Sequence, residues 1–394
     1  MLPATTRPEA DVLAGLIPES SPLLLAPSSS GGWFGGEHLA CQEPVEIHTG
    51  ASVGDVAAVL TASLESRRPS CAAALVPYEG PCRVHVYDGG LSSTDGVSWE
   101  PWGREPATAR PGAFEPPVPV LEGAVASVDA TAYMQGVERV RAAIVDGNVY
   151  VLNLTYLLEG RAASRHPGEL FASMHWRFGA EMSAVLAWPE GGVVSVSPER
   201  FLSLARTPDG WSAMVSPIKG TRPRGLSPEE DVRLVEELRS SAKERAEHVM
   251  IVDLERNDLG IVCVPGTVAV TRLFDIVPTP YCHQMVSDVT GLLREDVGLA
   301  EVLSATFPCG SVTGAPKRAA MHIIGELEAG PRGAYTGALI VARPGRLDSS
   351  VLIRTLEIGP GGSAKWGTGC GITIDSDPAE EWAESLLKAR PATT

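Results

Sequence analysis

Apolar residues in this chain occur in short runs, several of them alternating with polar residues and bounded by Ser, Gly or Pro. Such runs favour strands, and the bounding residues favour turns. In the first ninety residues the predicted strands are residues 23–25, 72–76 and 84–87. In the second half they are residues 193–197, 211–216, 266–274, 333–341, 350–358 and 371–374.

Three segments have helical features instead. They cover residues 133–146, 227 to about 252, and 377–388. The first stops at Gly147, a residue that suits the position after a helix end. The other two begin with Ser-Pro-Glu-Glu and Asp-Pro-Ala-Glu, in which a capping residue precedes Pro and Glu. Because strands and helices mix without regular alternation, the sequence predicts an α+β fold with antiparallel sheets.

The composition limits the class of protein and its partners. The 394 residues are 44% hydrophobic, enough for a full core, and carry a net charge of −16. This charge disfavours nucleic acids and acidic membranes as partners, and an anionic ligand would need a compensating cation in its site. No apolar run is long enough to span a membrane, no signal peptide is evident, and the seven cysteines are scattered. We therefore expect a cytoplasmic protein.

A proline-rich stretch indicates a domain boundary. Six prolines lie between residues 101 and 119, where little periodicity is present. The sequence predicts an N-terminal lobe, residues 1–123, that packs on a second domain, residues 124–391.

Two pairs of acidic residues have the spacing of neighbours on a helix face. Glu244 and Glu247 form one pair, and Glu381 and Glu384 form the other. Together they could supply the oxygen ligands that Mg²⁺ prefers. However, the apolar positions of the predicted helix would leave the first pair in solvent, and periodicity alone favours that interpretation. These apolar positions are Val232, Val235, Leu238, Ala242, Ala246 and Val249.

Lys219 lies in an unusual loop. Its neighbours are Pro217 and Gly220, and the loop follows a predicted strand and precedes a helix start. A lysine fixed in this way could act as a nucleophile. With Arg222 and Arg224 it could equally form an anion-binding loop, and spacing alone does not separate the two hypotheses.

Several long motifs occur in one order across residues 130–390, and together they resemble the chorismate-utilising enzymes. This family contains anthranilate synthase component I, aminodeoxychorismate synthase component I and their isochorismate and salicylate relatives. The resemblance implies antiparallel sheets packed as a sandwich core with flanking helices. The motifs are Ser-Pro-Glu-Arg-Phe at 197–201, the loop 217–225, Glu-His at 247–248 with 253–260, 307–317, Arg-Gly at 332–333 with Tyr335 and Gly337, Arg-Thr at 354–355, 367–371, and 375–384.

The resemblance also implies roles for individual residues. Mg²⁺ would be contacted by Glu247 and Glu384, supported by Glu244 and Glu381, and would bind the ring carboxylate of chorismate. Glu199 would be the general acid for loss of the ring hydroxyl, with Lys219 and Thr221 completing the catalytic group. The substrate-binding residues would be Arg354, Tyr335, Thr368, Gly369, Gly371 and Lys388.

Lys219 distinguishes the reactions of the family. Lysine at this position resembles aminodeoxychorismate synthase component I, in which it is proposed to add to ring C2 before ammonia enters at C4. This implies 4-amino-4-deoxychorismate as product, with ammonia supplied freely or by a separate glutamine amidotransferase subunit. The alternatives are an anthranilate synthase component I, a 2-amino-2-deoxyisochorismate synthase, and a chorismate-binding paralogue with weakened catalysis.

Three residues depart from the family pattern. Val151 stands where a polar Gln or Lys is usual, which disfavours an isochorismate synthase, since that enzyme needs a base to activate water. Gln284 replaces a histidine linked to pyruvate elimination, which favours a product that keeps the enolpyruvyl group. Cys309 replaces a glycine. Val151 and Gln284 also motivate the weakened paralogue.

Overall fold

The structure is a computed structural model, and it describes residues 23–25, 33–35, 39–41, 44–68, 70–88, 91–92, 119–279 and 282–393. Eight α-helices lie within these residues. They are α1 Val53–Glu65, α2 Ala130–Val145, α3 Pro167–Phe178, α4 Pro228–Ser240, α5 Ala242–Val262, α6 Leu299–Thr306, α7 Lys317–Leu327 and α8 Pro378–Thr393. No helix in the described part of the chain is long and apolar enough to cross a bilayer.

The strands of the described residues form two sheets. They are β1 Leu23–Leu25, β2 Leu39–Cys41, β3 Glu46–Ala51, β4 Cys71–Val76, β5 Cys82–Tyr87, β6 Leu91–Ser92, β7 Leu121–Ala126, β8 Val151–Ala162, β9 Met182–Trp188, β10 Gly191–Ser197, β11 Arg200–Thr207, β12 Gly210–Ser216, β13 Ile218–Pro223, β14 Ala269–Pro278, β15 Cys282–Leu292, β16 Gly314–Ala315, β17 Ala338–Arg343, β18 Arg346–Val351, β19 Thr355–Ile358 and β20 Ser363–Ile372.

All strand pairs in these sheets are antiparallel. The first sheet has the order β16-β8-β20-β19-β10-β9-β1-β2-β6, and β7 also pairs with β8. The second has the order β13-β15-β12-β11-β18-β17-β4-β5-β3, and β14 also pairs with β15. Strands from the first hundred residues therefore extend both sheets, and β7 crosses the boundary expected at residue 123. The division into a lobe and a catalytic domain stays a prediction, and residues 93–118 of the proline-rich stretch lie outside the described residues.

The two sheets pack face to face, because alternate residues of their central strands enter different cores. On β9, Ala184 and Leu186 lie in the core between the sheets, together with Leu339 and Val341 of β17. The intervening Val185 faces α2, α3 and α8 across the outer core. Strands with both faces covered are expected to be apolar throughout. The predicted α+β sandwich with flanking helices is confirmed.

The long helix predicted from residue 227 is wrong, because the structure contains two helices separated at Ser241. Ser227 caps the first helix and accepts a hydrogen bond from Glu230 N–H. Ser241 has extended backbone angles and caps the second by accepting from Glu244 N–H. This break resets the helical phase. Consequently two residues of the predicted apolar stripe, Val232 and Val249, are 69% and 50% exposed.

The strand predicted over residues 350–358 is also interrupted. Its first part belongs to β18 in the second sheet and its last part to β19 in the first sheet. The chain crosses between the sheets at residues 352–354, where Arg354 has a φ of 49°. Other boundaries shift as well, since β17 begins at Ala338 and residues 371–372 end the long strand β20. The glycine-rich segment 367–371 therefore lies within a strand.

Candidate active site

Acidic residues of α5 and α8 act on one another electrostatically. Glu247 lies in the second turn of α5, and its carboxylate has no hydrogen bond or ion pair with any described residue. Burial raises the pKa of Glu247, and the negative charges of Glu244 and Glu381 add to this rise, whereas Lys219 and Lys243 oppose it. The two helices thus bring carboxylates from both predicted pairs together.

Two of these acids meet at the start of α8. Ligand atoms of Glu381, Glu384 and Cys370 lie within 4.8 Å of one another. The Glu381 carboxylate accepts a hydrogen bond from Ser376 Oγ at 2.7 Å. Burial would raise the pKa of Glu384, but the Lys388 ammonium, 2.8 Å away, outweighs burial and lowers it.

The donor set fits a hard divalent cation. Burial raises the pKa of Cys370 to about 12, so its thiol stays neutral and is a poor ligand for thiolate-binding metals. Carboxylates are the donors Mg²⁺ prefers, and Glu381 and Glu384 supply them in this cluster, whereas Glu247 lies outside it and acts on Glu381 through its charge. Glu244 already forms an ion pair with Arg222 at 3.2 Å. Glu384 is likewise paired, with Lys388 at 2.8 Å.

Lys219 is held at the centre of this arrangement. Its amine donates to the Ser311 carbonyl at 3.1 Å, and its own carbonyl accepts from His248 Nδ1 at 3.3 Å. Burial lowers the pKa of His248 to about 4, so this imidazole is neutral. Gly220, with φ 85°, allows the strand to pass against α4 and α5, because a Cβ there would lie 2.9 Å from Leu238.

The amine of Lys219 adjoins the glycine-rich strand. A Cβ placed on Gly371 would lie 3.9 Å from both Lys219 Nζ and Val151 Cγ2. The positive charge of Lys219 also acts on Glu199, Glu247 and Glu384. Lys219 was predicted to lie in a loop, but the structure places it on strand β13. β13, α5, α8 and β20 therefore converge on its amine.

Glu199 is a buried acid beside this amine. It lies between β10 and β11 and is only 4% exposed, and its Oε1 has no hydrogen-bond partner among the described residues. Burial raises the pKa of Glu199, although the Lys219 charge and the Ser311 hydroxyl act in the opposite direction. A carboxyl whose pKa is raised by burial can serve as a general acid.

Arg354 and Tyr335 are two of the predicted substrate-binding residues. The Arg354 side chain has no hydrogen bond or ion pair in the described part of the chain, and burial lowers its pKa. Burial also raises the pKa of Tyr335 to about 12, so its hydroxyl remains a donor. Its ring lies against Gly367, where a Cβ would be 1.9 Å from Tyr335 Cγ. A partly buried guanidinium with no partner among the described residues favours a carboxylate ligand.

The remaining predicted residues are engaged within the protein. Thr368 is buried and donates its hydroxyl proton to the Ser385 carbonyl at 2.6 Å, so its side chain fixes α8 on β20. Lys388 donates to the Gly369 carbonyl at 3.1 Å as well as to Glu384. Thr221 is exposed on β13 and lies opposite Gln284 of β15, which is 2% exposed.

Sequence reasoning missed several buried polar residues. On α5, Glu255 and Asp258 occupy the buried face with Ile251 and Leu259. Asp258 forms an ion pair with Lys317 at 2.6 Å. Their i,i+3 spacing among apolar residues was a usable signal. The predicted helix ended at about residue 252, before both residues, whereas α5 continues to Val262.

Comparison with known proteins agrees with this geometry. The profile of the family described as chorismate binding enzyme matches residues 80–394. An aminodeoxychorismate synthase of Streptomyces pristinaespiralis is 42% identical over 264 residues, covering 66% of this chain and 35% of the relative. An anthranilate synthase component 1 of Haloarcula marismortui is 39% identical, covering 73% of this chain and 58% of the relative. The chain thus spans between a third and three-fifths of the length of these curated relatives.

The fold agrees with a solved structure. Anthranilate synthase component I from Streptococcus pneumoniae superposes with a TM-score of 0.75 over 91% of this chain and 92% of that chain, at 22% identity. At this identity the likeness concerns the fold alone. The family profile, in contrast, covers the strands and helices that carry every residue of the candidate site. The chain therefore belongs to the chorismate-binding enzyme family.

Proposed function

We propose that the protein is component I of an aminodeoxychorismate synthase, which aminates chorismate at C4 to give 4-amino-4-deoxychorismate. The observation that carries this proposal is the position of the Lys219 amine, beside Gly371 and within the electrostatic influence of Glu199 and Glu384. An amine in this position supports a covalent route, because direct replacement of a hydroxyl by ammonia is difficult.

The first half of the proposed reaction joins the substrate to the enzyme. Lys219 first gives its ammonium proton to solvent, and its amine then forms a bond to ring C2. Both ring double bonds shift, and the C4–O bond breaks with its electron pair. Glu199 gives its proton to the departing oxygen, which leaves as water. The buried, partner-free Oε1 of Glu199 and its raised pKa support this role.

The second half releases the product. Ammonia forms a bond to C4, the double bonds shift back, and the C2–N bond breaks to return the neutral lysine amine. The extra proton on the new nitrogen passes to the Glu199 carboxylate, which restores the acid. The net change is replacement of hydroxyl by amine, with one ammonia consumed and one water released.

Substrate binding would use the remaining charges of the site. Arg354 and the neutral Tyr335 hydroxyl would hold the enolpyruvyl carboxylate, since the guanidinium has no internal partner. Bound Mg²⁺, held by Glu247, Glu381 and Glu384, would neutralise the ring carboxylate. Ammonia would come from a separate glutamine amidotransferase subunit or from free ammonium.

Val151 supports amination over hydroxylation. One of its methyl groups lies at the same distance from the Gly371 Cβ position as the Lys219 amine, and it can neither accept a proton from water nor donate one. An isochorismate synthase requires such a base. Gln284, buried on β15 in place of the family histidine, favours retention of the enolpyruvyl group.

Product analysis tests this proposal. The protein is incubated with chorismate, Mg²⁺ and ammonium, and the products are separated and identified by mass spectrometry. We expect 4-amino-4-deoxychorismate. Release of anthranilate or 2-amino-2-deoxyisochorismate would contradict it, and binding of chorismate without turnover would identify a weakened paralogue.

The covalent step has its own test. Lys219→Ala should lower kcat by at least about 100-fold, whereas Lys365→Ala, which removes an exposed lysine paired with Glu159, should leave it unchanged. Without ammonium, wild-type protein should gain the mass of one chorismate less one water. An unmodified mass, or C4 amination by Lys219→Ala at the normal rate, would eliminate the lysine intermediate.

A further inference from the structure

A second buried carboxyl group, that of Glu255, interacts electrostatically with Glu199. Glu255 is 1% exposed, and its Oε1 accepts a hydrogen bond from Gly310 N–H at 3.1 Å. Its Oε2 has no hydrogen-bond partner within the described residues. Burial raises the pKa of Glu255 to about 7; Asp258 and Glu199 increase this shift, and Lys317 and Cys309 reduce it. The negative charge of Glu199 therefore makes ionisation of Glu255 less favourable.

Two proton-carrying side chains lie between these carboxyls. Cys309 Sγ is 3.5 Å from Glu255 Oε1 and 3.2 Å from Ser311 Oγ. The Ser311 hydroxyl in turn lowers the pKa of Glu199, and the Ser311 carbonyl holds the Lys219 amine. Burial raises the pKa of the Cys309 thiol well above its usual range, so the sulfur keeps its proton. The four side chains are each at most 5% exposed.

A purely structural role does not account for a carboxylic acid at this position. The Gly310 N–H needs one acceptor oxygen, and the amide oxygen of glutamine would supply it. Glutamine would also avoid the desolvation penalty of a buried carboxyl next to Asp258. Similarly, Cys309 stands where the family usually has glycine, and the thiol completes the connection between Glu255 and Ser311.

We propose that Glu255 replaces the proton that Glu199 gives to the leaving hydroxyl, by transfer through Cys309 and Ser311. The inference rests on the proposed role of Glu199 as general acid. In the structure the Cys309 thiol donates to Glu255 Oε1. For the transfer this S–H turns to Ser311, which passes its own hydroxyl proton to the Glu199 carboxylate and takes the thiol proton. The sulfur then takes the proton of Glu255. No bond to carbon changes, and each intervening atom gives one proton and gains one.

The transfer leaves a carboxylate on Glu255, whose charge the Lys317 ammonium stabilises against Asp258. When the second half of the reaction releases a proton to Glu199, the same groups carry it back. Glu255 acts only through Glu199, and it is therefore a positioning residue that holds a proton near the reaction.

Three variants separate proton transfer from packing. Cys309→Ala interrupts the connection, Cys309→Ser restores an atom that can carry a proton, and Glu255→Gln keeps the acceptor for Gly310 but has no acidic proton. Cys82→Ala removes a buried thiol of β5 outside the site and serves as the control. Rates are measured as chorismate consumption with Mg²⁺ and ammonium at pH 6 to 9, so they do not depend on which product forms.

We expect Cys309→Ala and Glu255→Gln to lower kcat about 10- to 100-fold with KM unchanged. Cys309→Ser should stay within about threefold of wild type, and Cys82→Ala should match it. Wild-type kcat should decrease above about pH 7 as Glu255 loses its proton, and this decrease should be absent in Glu255→Gln.

Equal rates for Cys309→Ala and Cys309→Ser would overturn the inference, as would full activity of Glu255→Gln. If Cys309→Ala folds poorly, the wild-type and Glu255→Gln pH profiles still decide the question, and identical profiles would refute it. Formation of anthranilate by the wild-type protein would refute the proposed function and leave these comparisons valid, because the hydroxyl must leave in either reaction.

Discussion

Arg332 connects segments of the chain that carry residues of the candidate site. It is 1% exposed, and its guanidinium donates five hydrogen bonds to described residues. Two go to the carboxylate of Glu328, at 2.8 and 2.7 Å. The others reach Val312 O at 2.8 Å, Asn153 O at 2.7 Å and Thr336 Oγ1 at 3.3 Å. The guanidinium thereby joins β8, the loop that carries Ser311, and the segment that carries Tyr335.

Replacement by methionine should be strongly destabilising. Arg332→Met leaves the Glu328 carboxylate buried without its ionic partner, a change that typically costs about 3–5 kcal/mol. Two hydrogen bonds from Thr155, at 2.9 and 2.8 Å, still reach Glu328 and reduce this effect. The freed carbonyls of Val312 and Asn153 add about 1 kcal/mol each. We therefore expect the free energy of unfolding to decrease by about 4 kcal/mol.

A double-mutant cycle with urea unfolding tests the reasoning. Arg332→Met/Glu328→Gln removes both charges and keeps an acceptor for Thr155, so it should recover at least about 2 kcal/mol relative to Arg332→Met. Arg239→Met is the control, because Arg239 forms only an exposed i,i+3 pair and should contribute less than about 0.5 kcal/mol. A decrease below about 1 kcal/mol for Arg332→Met, or no recovery in the double variant, would refute the account.

Three further predictions concern the site. Gly367→Ala should displace the Tyr335 ring, since a Cβ would lie 1.9 Å from it, and should lower both the free energy of unfolding, by about 2–3 kcal/mol, and kcat/KM. Gly325→Ala on α7, where a Cβ would meet no atom within 4 Å, should instead stabilise the protein by up to about 1 kcal/mol. Equal urea unfolding midpoints for the two variants would contradict this contrast. Arg354→Met should raise the KM for chorismate about 10- to 100-fold, measured by steady-state kinetics, and an unchanged KM would remove Arg354 from the substrate site. Because burial raises the pKa of Glu255 to about 7, the folded protein binds one more proton than the unfolded chain between about pH 4.5 and 7, so its stability decreases as pH rises through this range. The free energy of unfolding of Glu255→Gln should therefore rise by roughly 2–4 kcal/mol relative to wild type between pH 4.5 and 8. Parallel curves of stability against pH would exclude the shift.

Local chemistry in the sequence determined much of the fold. The apolar runs predicted strands at β1, β4, β5, β10 and β12, and serine or aspartate with Pro and Glu marked helix starts at residues 227 and 377. These signals act over two to four residues and need no distant partner. The family motifs also singled out Lys219, Glu199 and the acids of α5 and α8, because their order along the chain is itself informative.

Only the tertiary structure decided which of these groups meet. The predicted helix ended at about residue 252, and only the structure shows that α5 continues to Val262 with Glu255 and Asp258 on its buried face. Arg354 is positioned by the crossing of the chain between two sheets, and Lys219 is fixed by a carbonyl 92 residues away. Burial and charge in a site depend on segments that are distant in sequence, whereas propensity and capping depend on immediate neighbours.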